Sequence, residues 1–347
     1  MAKERYSKRP VGKLLSTPIE TESGTRLTKH ECTLFTSIPP RLTRLVQGRD
    51  FGLAWQTACI KSWRDAGFRI VSLNTPKEIE ALRSLEPEVE FVEIGPDRTR
   101  PLITDFFAAA ENSRSRIAGI INADCMIIPQ TGIINHFTDN IGGIVIAHRI
   151  NISQETLFPT GVGGGFDAFF FDVSTLAHIE HDNSWRIGEV WYDFWLPLAF
   201  HVAGFKIKTL PAPILLHLNH DFAWDSRAYA REFPRLINLL RAHNGARLDP
   251  VLMAELSRVR KLHANDVAAH KTLLFYWLKS REKLWTPEAG SAEDFMMRFL
   301  NALGTPSLTR YQYLKKQMRA RLRQMIDALG LRRTLYMLGL VRQPLVD

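Results

Sequence analysis

The sequence predicts an α/β protein built on a mixed, mostly parallel sheet flanked by helices. Two observations carry that expectation. From Cys32 to Ile121, short apolar runs alternate with segments of helical spacing, the pattern of strands joined by crossover helices. Apolar residues make up 45% of the 347 residues and charged residues 23%, which supplies a large core and too little charge for a disordered chain.

The elements follow in order. Cys32 to Ile38 reads as a buried strand stopped by Pro39-Pro40. Phe51 to Ala66 has helical spacing, with Leu53, Ala54, Thr57, Ile60 and Lys61 on neighbouring rows, and Gly67 closes it. Phe68 to Leu73 is a strand ending at Asn74. Thr75 caps a helix from Pro76 to Leu85, with proline at the first helical position. Val89 to Ile94 is a strand and Thr104 to Ser113 a helix. Ile117 to Ile121 is a strand that runs straight into Asn122-Ala123-Asp124. In parallel sheets of this kind ligands sit at the carboxyl ends of the strands, which here carry Ser37, Asn74 and Asn122-Ala123-Asp124.

Beyond these, Ile141 to Ile150 reads as a strand, Gly161 to Gly165 as a glycine-rich loop and Ala168 to Phe171 as a short aromatic strand. Ile187 to Ala203 is apolar and aromatic with an internal proline, so a kinked or broken helix is expected. Phe205 to Leu210 and Ile214 to Leu216 are short strands around Pro211 and Pro213. After Trp224 the chain turns helical and basic. The expected division is a flexible basic arm over residues 1–30, an α/β domain over 31–224, and a helical, basic C-terminal region over 225–347.

The net charge of +9 and pI near 9.6 favour acidic partners such as nucleotide diphosphates, nucleic acid or an anionic membrane. Cys32, Cys59 and Cys125 show no C-x-x-C spacing, which argues against a disulfide framework or a zinc site and fits a reducing compartment. The first thirty residues lack the apolar stretch of a signal peptide. No apolar run reaches the roughly eighteen residues of a spanning helix. The expectation is a cytoplasmic protein. There is no G-x-S-x-G elbow and no P-loop. The sequence shows no zinc spacing, aromatic RNA-binding strand or basic zipper, so nucleic acid is not an expected partner. From Gln312 to Leu340, Leu314, Met318, Leu322, Met325 and Leu329 make one apolar stripe among lysines and arginines. Two readings stay open there: a helix packed on the domain with a solvated basic face, or an interfacial helix in peripheral contact with anionic lipid on the inner face of the membrane.

Several residues could carry chemistry, each with a plain structural alternative. A carboxylate at the end of a buried strand, as at Asp124, must be hydrogen-bonded, ion-paired or metal-bound. Mg2+ and Mn2+ accept such oxygen ligands, whereas the plain role is to cap the next turn. His217, in Leu215-Leu216-His217-Leu218-Asn219-His220, is either a metal ligand or a satisfied buried histidine. Glu189 and Asp193 are four residues apart and on a helix would share one face. Like charges there cost stability unless they serve a function. Trp191 and Trp195 suit the apolar faces of sugars, or are plain core. Arg98 and Arg100 are phosphate partners or ordinary surface charge.

The order of these features resembles that of inverting GT-A glycosyltransferases of the large family-two type. Those enzymes carry a D-x-D triplet at a strand end, a glycine-bearing strand, an acidic pair opening a helix, then a glycine, a proline and a histidine at set intervals. Here Asn122-Ala123-Asp124 stands for the triplet, Gly165-Phe166-Asp167-Ala168-Phe169-Phe170-Phe171 for the strand and Tyr192-Asp193 for the pair. Gly204 follows Asp193 by eleven residues, Pro211 follows seven later and His217 six after that. The resemblance covers Thr33 to His220.

It implies a GT-A (Rossmann-like) fold with the catalytic domain over 31–224. The implied activity is transfer of a sugar from a nucleotide-diphosphate sugar donor to a glycan or lipid-linked acceptor, assisted by Mn2+ or Mg2+. It implies Asp193 as general base, with Glu189 the alternative, and Asp124 and His217 as metal ligands. Ser37, Asn74, Asn122 and Arg98 are the expected donor and nucleotide contacts. Gly164, Gly165, Asp167, Trp191 and Trp195 are the expected donor or acceptor sugar contacts. Asn122 and Tyr192 depart from the pattern, since both positions are acidic in the family. Two other readings are a sugar nucleotidylyltransferase, which shares the sheet topology, and a non-catalytic glycan- or membrane-binding protein on the same scaffold.

Overall fold

The computed structural model describes residues 31–284 except 47, 129–131, 156, 181–184, 211–212, 221–225 and most of 243–263. The basic arm expected over 1–30, the stripe expected over Gln312 to Leu340, and Pro211 lie outside the described residues.

Four strands form the parallel half of the sheet. They are β1 (Cys32–Thr36), β4 (Arg69–Asn74), β5 (Glu90–Glu93) and β6 (Ile117–Ile121), in the order β6-β1-β4-β5. Every residue of β1 and of β6 is buried, as expected of parallel strands covered on both faces. The helices between them are α1 (Gly52–Asp65), α2 (Pro76–Arg83) and α3 (Ile103–Asn112). A capping box starts α2: the Glu78 N–H donates to Thr75 Oγ1 at 3.4 Å and the Thr75 N–H to Glu78 Oε2 at 2.9 Å. A short hairpin, β2 (Leu45–Val46) with β3 (Arg49–Asp50), precedes α1.

The other half is mixed. The strand β9 (Pro159–Asp172) runs antiparallel to both β6 and β8 (Gly143–Ile152). This corrects the expected loop at Gly161 to Gly165, which is strand. Two of its glycines make room for partner side chains instead of a turn. A Cβ on Gly163 would lie 2.6 Å from Arg149 Nε, and one on Gly165 would lie 2.9 Å from Asp193 Oδ2.

The first part of β8 pairs in parallel with β10 (Lys206–Thr209), and its last four residues pair with β11 (Leu215–Leu218). On its other side β11 pairs antiparallel with β7 (Cys125–Ile127), and His217 stands opposite Cys125. That pairing brings the end of β6 and the histidine of β11 together. The sequence reading had no strand at β7 and no helix at α4 (Ile133–Asn140).

The expected helix over Ile187 to Ala203 is shorter, α5 (Tyr192–Val202), because Trp191 adopts the left-handed conformation at φ 69°. The next elements are α6 (Ser226–Ala242), α7 (Ala264–Lys279) and β12 (Glu282–Lys283), which pairs with β10. Phe233, Leu236, Leu274, Trp277 and Leu278 from α6 and α7 share one core with Trp185, Trp191, Phe194 and Trp195. Each such burial contributes about 1.5–3 kcal/mol, so the chain through Lys283 extends the core of the α/β sheet. A second core lies between the sheet and α1 and α4, around Trp55, Trp63, Phe137 and Phe170. Among the described residues, no helix is long and apolar enough to cross a membrane.

Candidate active site

Asp124 leaves the sheet between β6 and β7, and its backbone carbonyl is held by Trp55 Nε1 of α1 at 2.8 Å. Its Oδ2 faces His217 Nε2 at 3.2 Å and His220 Nε2 at 3.4 Å, and accepts a hydrogen bond from Arg44 Nη2. Its Oδ1 faces the Cys125 thiol at 3.9 Å. Burial alone would push the Asp124 carboxyl up. The two histidines, His217 ahead of His220, and the Arg44 guanidinium hold it well below the usual carboxylate range.

Asn122, two residues earlier, sits in a chain of polar contacts. Its Nδ2 donates to Asp167 Oδ1 at 2.6 Å, and its Oδ1 accepts from the Tyr192 hydroxyl at 2.6 Å. Asp167 Oδ2 in turn accepts from Arg149 Nη1 at 2.5 Å, and Arg149 Nε donates to Asn151 Oδ1 at 3.1 Å. Buried Asp167 therefore has both oxygens satisfied, as a buried carboxylate requires.

Asp193 is the residue after Tyr192, in the first turn of α5. Burial pushes its carboxyl up to about 6. Lys271 opposes the rise, neighbouring Asp167 adds to it, and a hydrogen bond from the Phe166 backbone N–H and the Arg149 charge also oppose it. Gly165 packs directly beneath Asp193 Oδ2. Lys271 comes from α7, where its Nζ donates to the Tyr229 hydroxyl at 3.0 Å and lies 4.3 Å over that ring. Pro197 has no N–H, so the Asp193 carbonyl lacks the usual donor one turn on.

Not every expected contact is placed to serve. Asn74 is fully buried: its Nδ2 donates to the Ile38 carbonyl at 2.8 Å and its Oδ1 accepts from Ser72 Oγ at 2.6 Å. It braces the chain just after β1. Trp191 and Trp195 are core, 0% and 3% exposed. Trp191 Nε1 donates to the Tyr229 carbonyl at 2.8 Å, and Trp195 stacks on Trp185. The rings are covered by segments that flank α5 in space, so no face is left for a sugar. Glu189 lies in the turn before α5, off the helical face of Asp193, and pairs with Arg186 at 3.2 Å. Arg98 pairs with Asp105 at the start of α3. Ser37 is partly exposed just after β1, and Gly164 is exposed with nothing within 4 Å of where its Cβ would be.

The sequence reading missed His220, Arg44, Arg149 and Lys271. Only His220 carried a local signal, in the repeat of histidine three residues after His217.

The residues fit a divalent cation. One carboxylate oxygen and two imidazole nitrogens of Asp124, His217 and His220 lie within 4.8 Å of one another. Three nitrogens crowd Oδ2, more than its two lone pairs can satisfy. His217 Nδ1 is buried without a partner among the described residues. The crowding at Oδ2 is the geometry of groups converging on a common point rather than of a closed hydrogen-bond set.

No protein-family model matches the chain, and no curated protein matches it. Among solved structures it is similar to S. aureus TarS in complex with UDP-GlcNAc, at 8% identity over 71% of this chain and 80% of that one, with a TM-score of 0.46. It is similar to GalNAc-T7 with UDP, GalNAc and Mn2+, at 10% identity over 79% of this chain and 57% of that one, TM-score 0.45. It is also similar to the mannosyltransferase PcManGT from Pyrobaculum calidifontis in complex with GDP-Man and Mn2+, at 11% identity over 91% and 84% of the two chains, TM-score 0.38.

Proposed function

We propose that the chain is a metal-dependent glycosyltransferase that uses a nucleotide-diphosphate sugar as donor, with Asp193 as general base. One observation carries this reading. A three-ligand set suited to a divalent cation and a carboxylate with a raised pKa flank one hydrogen-bonded cluster, Asp124 standing two residues after Asn122 and Asp193 directly after Tyr192.

Asp124, His217 and His220 would hold the cation. Bound there, Mn2+ or Mg2+ supplies Lewis-acid neutralisation of the departing diphosphate. A set with two imidazoles is a poor match for Mg2+, which keeps oxygen ligands and water, so Mn2+ is the better fit of the two.

The protein's own groups do the rest. With a pKa of about 6, Asp193 is mainly ionised at neutral pH and still basic enough to accept the proton of an acceptor hydroxyl in the transition state. Gly165 and the Phe166 N–H fix the position of its carboxylate, and Lys271 stabilises the anion. Inversion at the anomeric carbon is what the family resemblance implies. The acceptor class, a glycan or a lipid-linked sugar, rests on the family resemblance alone.

The test is release of nucleoside diphosphate from a panel of uridine- and guanosine-diphosphate sugars with Mn2+. Asp193→Asn should slow release by about 10²- to 10⁴-fold, and His217→Ala should abolish its dependence on Mn2+. Release that neither change affects would remove the proposal. Release of pyrophosphate from a nucleoside triphosphate and a sugar phosphate would mark a nucleotidylyltransferase instead.

A further inference from the structure

Arg44 is the one group on Asp124 Oδ2 that the chemistry above leaves without a role. The fold takes care to deliver it. After β1, Ile38 is held by Ser72 Oγ at its N–H and by Asn74 Nδ2 at its carbonyl. The chain then crosses the start of α1 so closely that a Cβ on Gly52 would lie 1.7 Å from the Leu42 carbonyl oxygen. The Arg44 N–H donates to Asp50 Oδ1 at 2.9 Å, and its carbonyl accepts from the Phe51 N–H at 2.8 Å. The same Asp50 oxygen takes the Gly52 N–H at 2.9 Å.

The backbone is thus fixed, but the guanidinium is incompletely satisfied. Nη2 donates to Asp124 and Nη1 to the Thr43 carbonyl at 2.9 Å, while Nε is buried without a partner among the described residues. The side chain is only 10% exposed. A guanidinium has five N–H donors in a planar fork that matches phosphate. A divalent cation on Asp124 Oδ2 cannot coexist with a guanidinium on that oxygen, because the two positive charges would repel at contact distance in a partly buried site.

We propose that Arg44 is an exchangeable counter-ion that couples metal binding to nucleotide binding. In the free protein it neutralises Asp124. When a divalent cation takes Asp124, the guanidinium is released and its fork takes an oxygen of the nucleoside diphosphate. Metal alone therefore binds weakly, since it displaces a cation, and nucleotide and metal bind with positive coupling. This inference rests on the assignment of Asp124, His217 and His220 as a metal site.

The test is Mn2+ titration of the full chain by calorimetry or by the Mn2+ paramagnetic signal, without nucleotide, followed by UDP and GDP titration at saturating Mn2+. Arg44→Gln should bind Mn2+ alone about tenfold more tightly and UDP or GDP about tenfold more weakly, the weight of one charge-assisted hydrogen bond. Arg44→Lys keeps a cation at the position. It should bind Mn2+ like the parent and nucleotide more weakly, which keeps the inference testable where Arg44→Gln fails to fold. Unchanged nucleotide affinity in both variants would reduce Arg44 to a structural counter-ion and overturn the inference. Unchanged Mn2+ affinity in Arg44→Gln would overturn it as well, while loss of Mn2+ binding in His217→Ala would leave the metal site standing. Mn2+ binding indifferent to His217→Ala would remove the metal site and the inference together.

Discussion

The Tyr192 hydroxyl donates to Asn122 Oδ1 at 2.6 Å, so the two positions that depart from the glycosyltransferase pattern are bonded to each other. With both positions acidic, two carboxylates would meet here against the buried Asp167, which already holds Asn122 Nδ2 at 2.6 Å. A phenol and an amide replace them with a neutral chain that satisfies every partner. The two departures are thus in contact, one donating to the other.

Restoring a single acid should therefore harm the protein. Asn122→Asp removes the donor to Asp167 and sets two carboxylates face to face. At neutral pH we expect a loss of about 2–4 kcal/mol. One carboxyl of that pair acquires a raised folded pKa, so the loss is present at neutral pH and shrinks as the pH falls through that pKa and the proton is taken up. Tyr192→Phe leaves Asn122 Oδ1 without its donor and should cost about 1–3 kcal/mol, with no such pH dependence. Urea melts at pH 7 and pH 5 distinguish the two patterns, and an Asn122→Asp loss that is equal at both pH values would contradict the account of the network.

The proposed base should set the pH profile. With Asp193 in its proposed role the ionised form is the active one, so kcat/KM should fall on the acid side with a midpoint near its pKa of about 6. The Lys271 cation favours the ionised carboxylate. Lys271→Gln should therefore raise the Asp193 pKa and move the acid limb to higher pH. A limb that stays in place would show that Lys271 does not act on the base.

Glycine at 165 is a positioning requirement. A Cβ there would press on Asp193 Oδ2 at 2.9 Å, whereas one on Gly164 meets nothing within 4 Å. Gly165→Ala should lower kcat by about 10²-fold, the scale of a misplacement near 1 Å, with little change in melting temperature. Gly164→Ala should behave like the parent. Equal activity of the two variants would show that the close approach does not position the base.

The parallel half of the sheet was legible because its signals are local. Ile117 to Ile121 is an unbroken apolar run, and Thr75-Pro76 with Glu78 marks the start of α2. The glycines of β9 misled because a strand without side chains looks like a loop in sequence. Two of them, Gly163 and Gly165, are explained by Arg149 and Asp193, which lie outside β9. The left-handed Trp191 shortened α5 and took Glu189 off the face of Asp193, a backbone choice that composition does not reveal. Trp191 and Trp195 looked available because their cover includes α6, beyond the expected domain boundary. Asp124 and His217 could be named from spacing, yet Arg44, 80 residues before Asp124, could be found only through the fold.

The central claim is that Asp124, His217 and His220 hold the cation through which a nucleotide-sugar donor binds. The most direct measurement is the melting temperature of the full chain with each donor of the uridine and guanosine panel, in Mn2+ and in EDTA. A ligand that binds only the folded state at about 100 times its Kd adds about 2.7 kcal/mol of stability. At least one donor should raise the melting temperature in Mn2+, EDTA should remove the increase, and His220→Ala should reduce it. A donor that stabilises the protein equally in EDTA, or a panel in which none stabilises it with Mn2+, would contradict the claim.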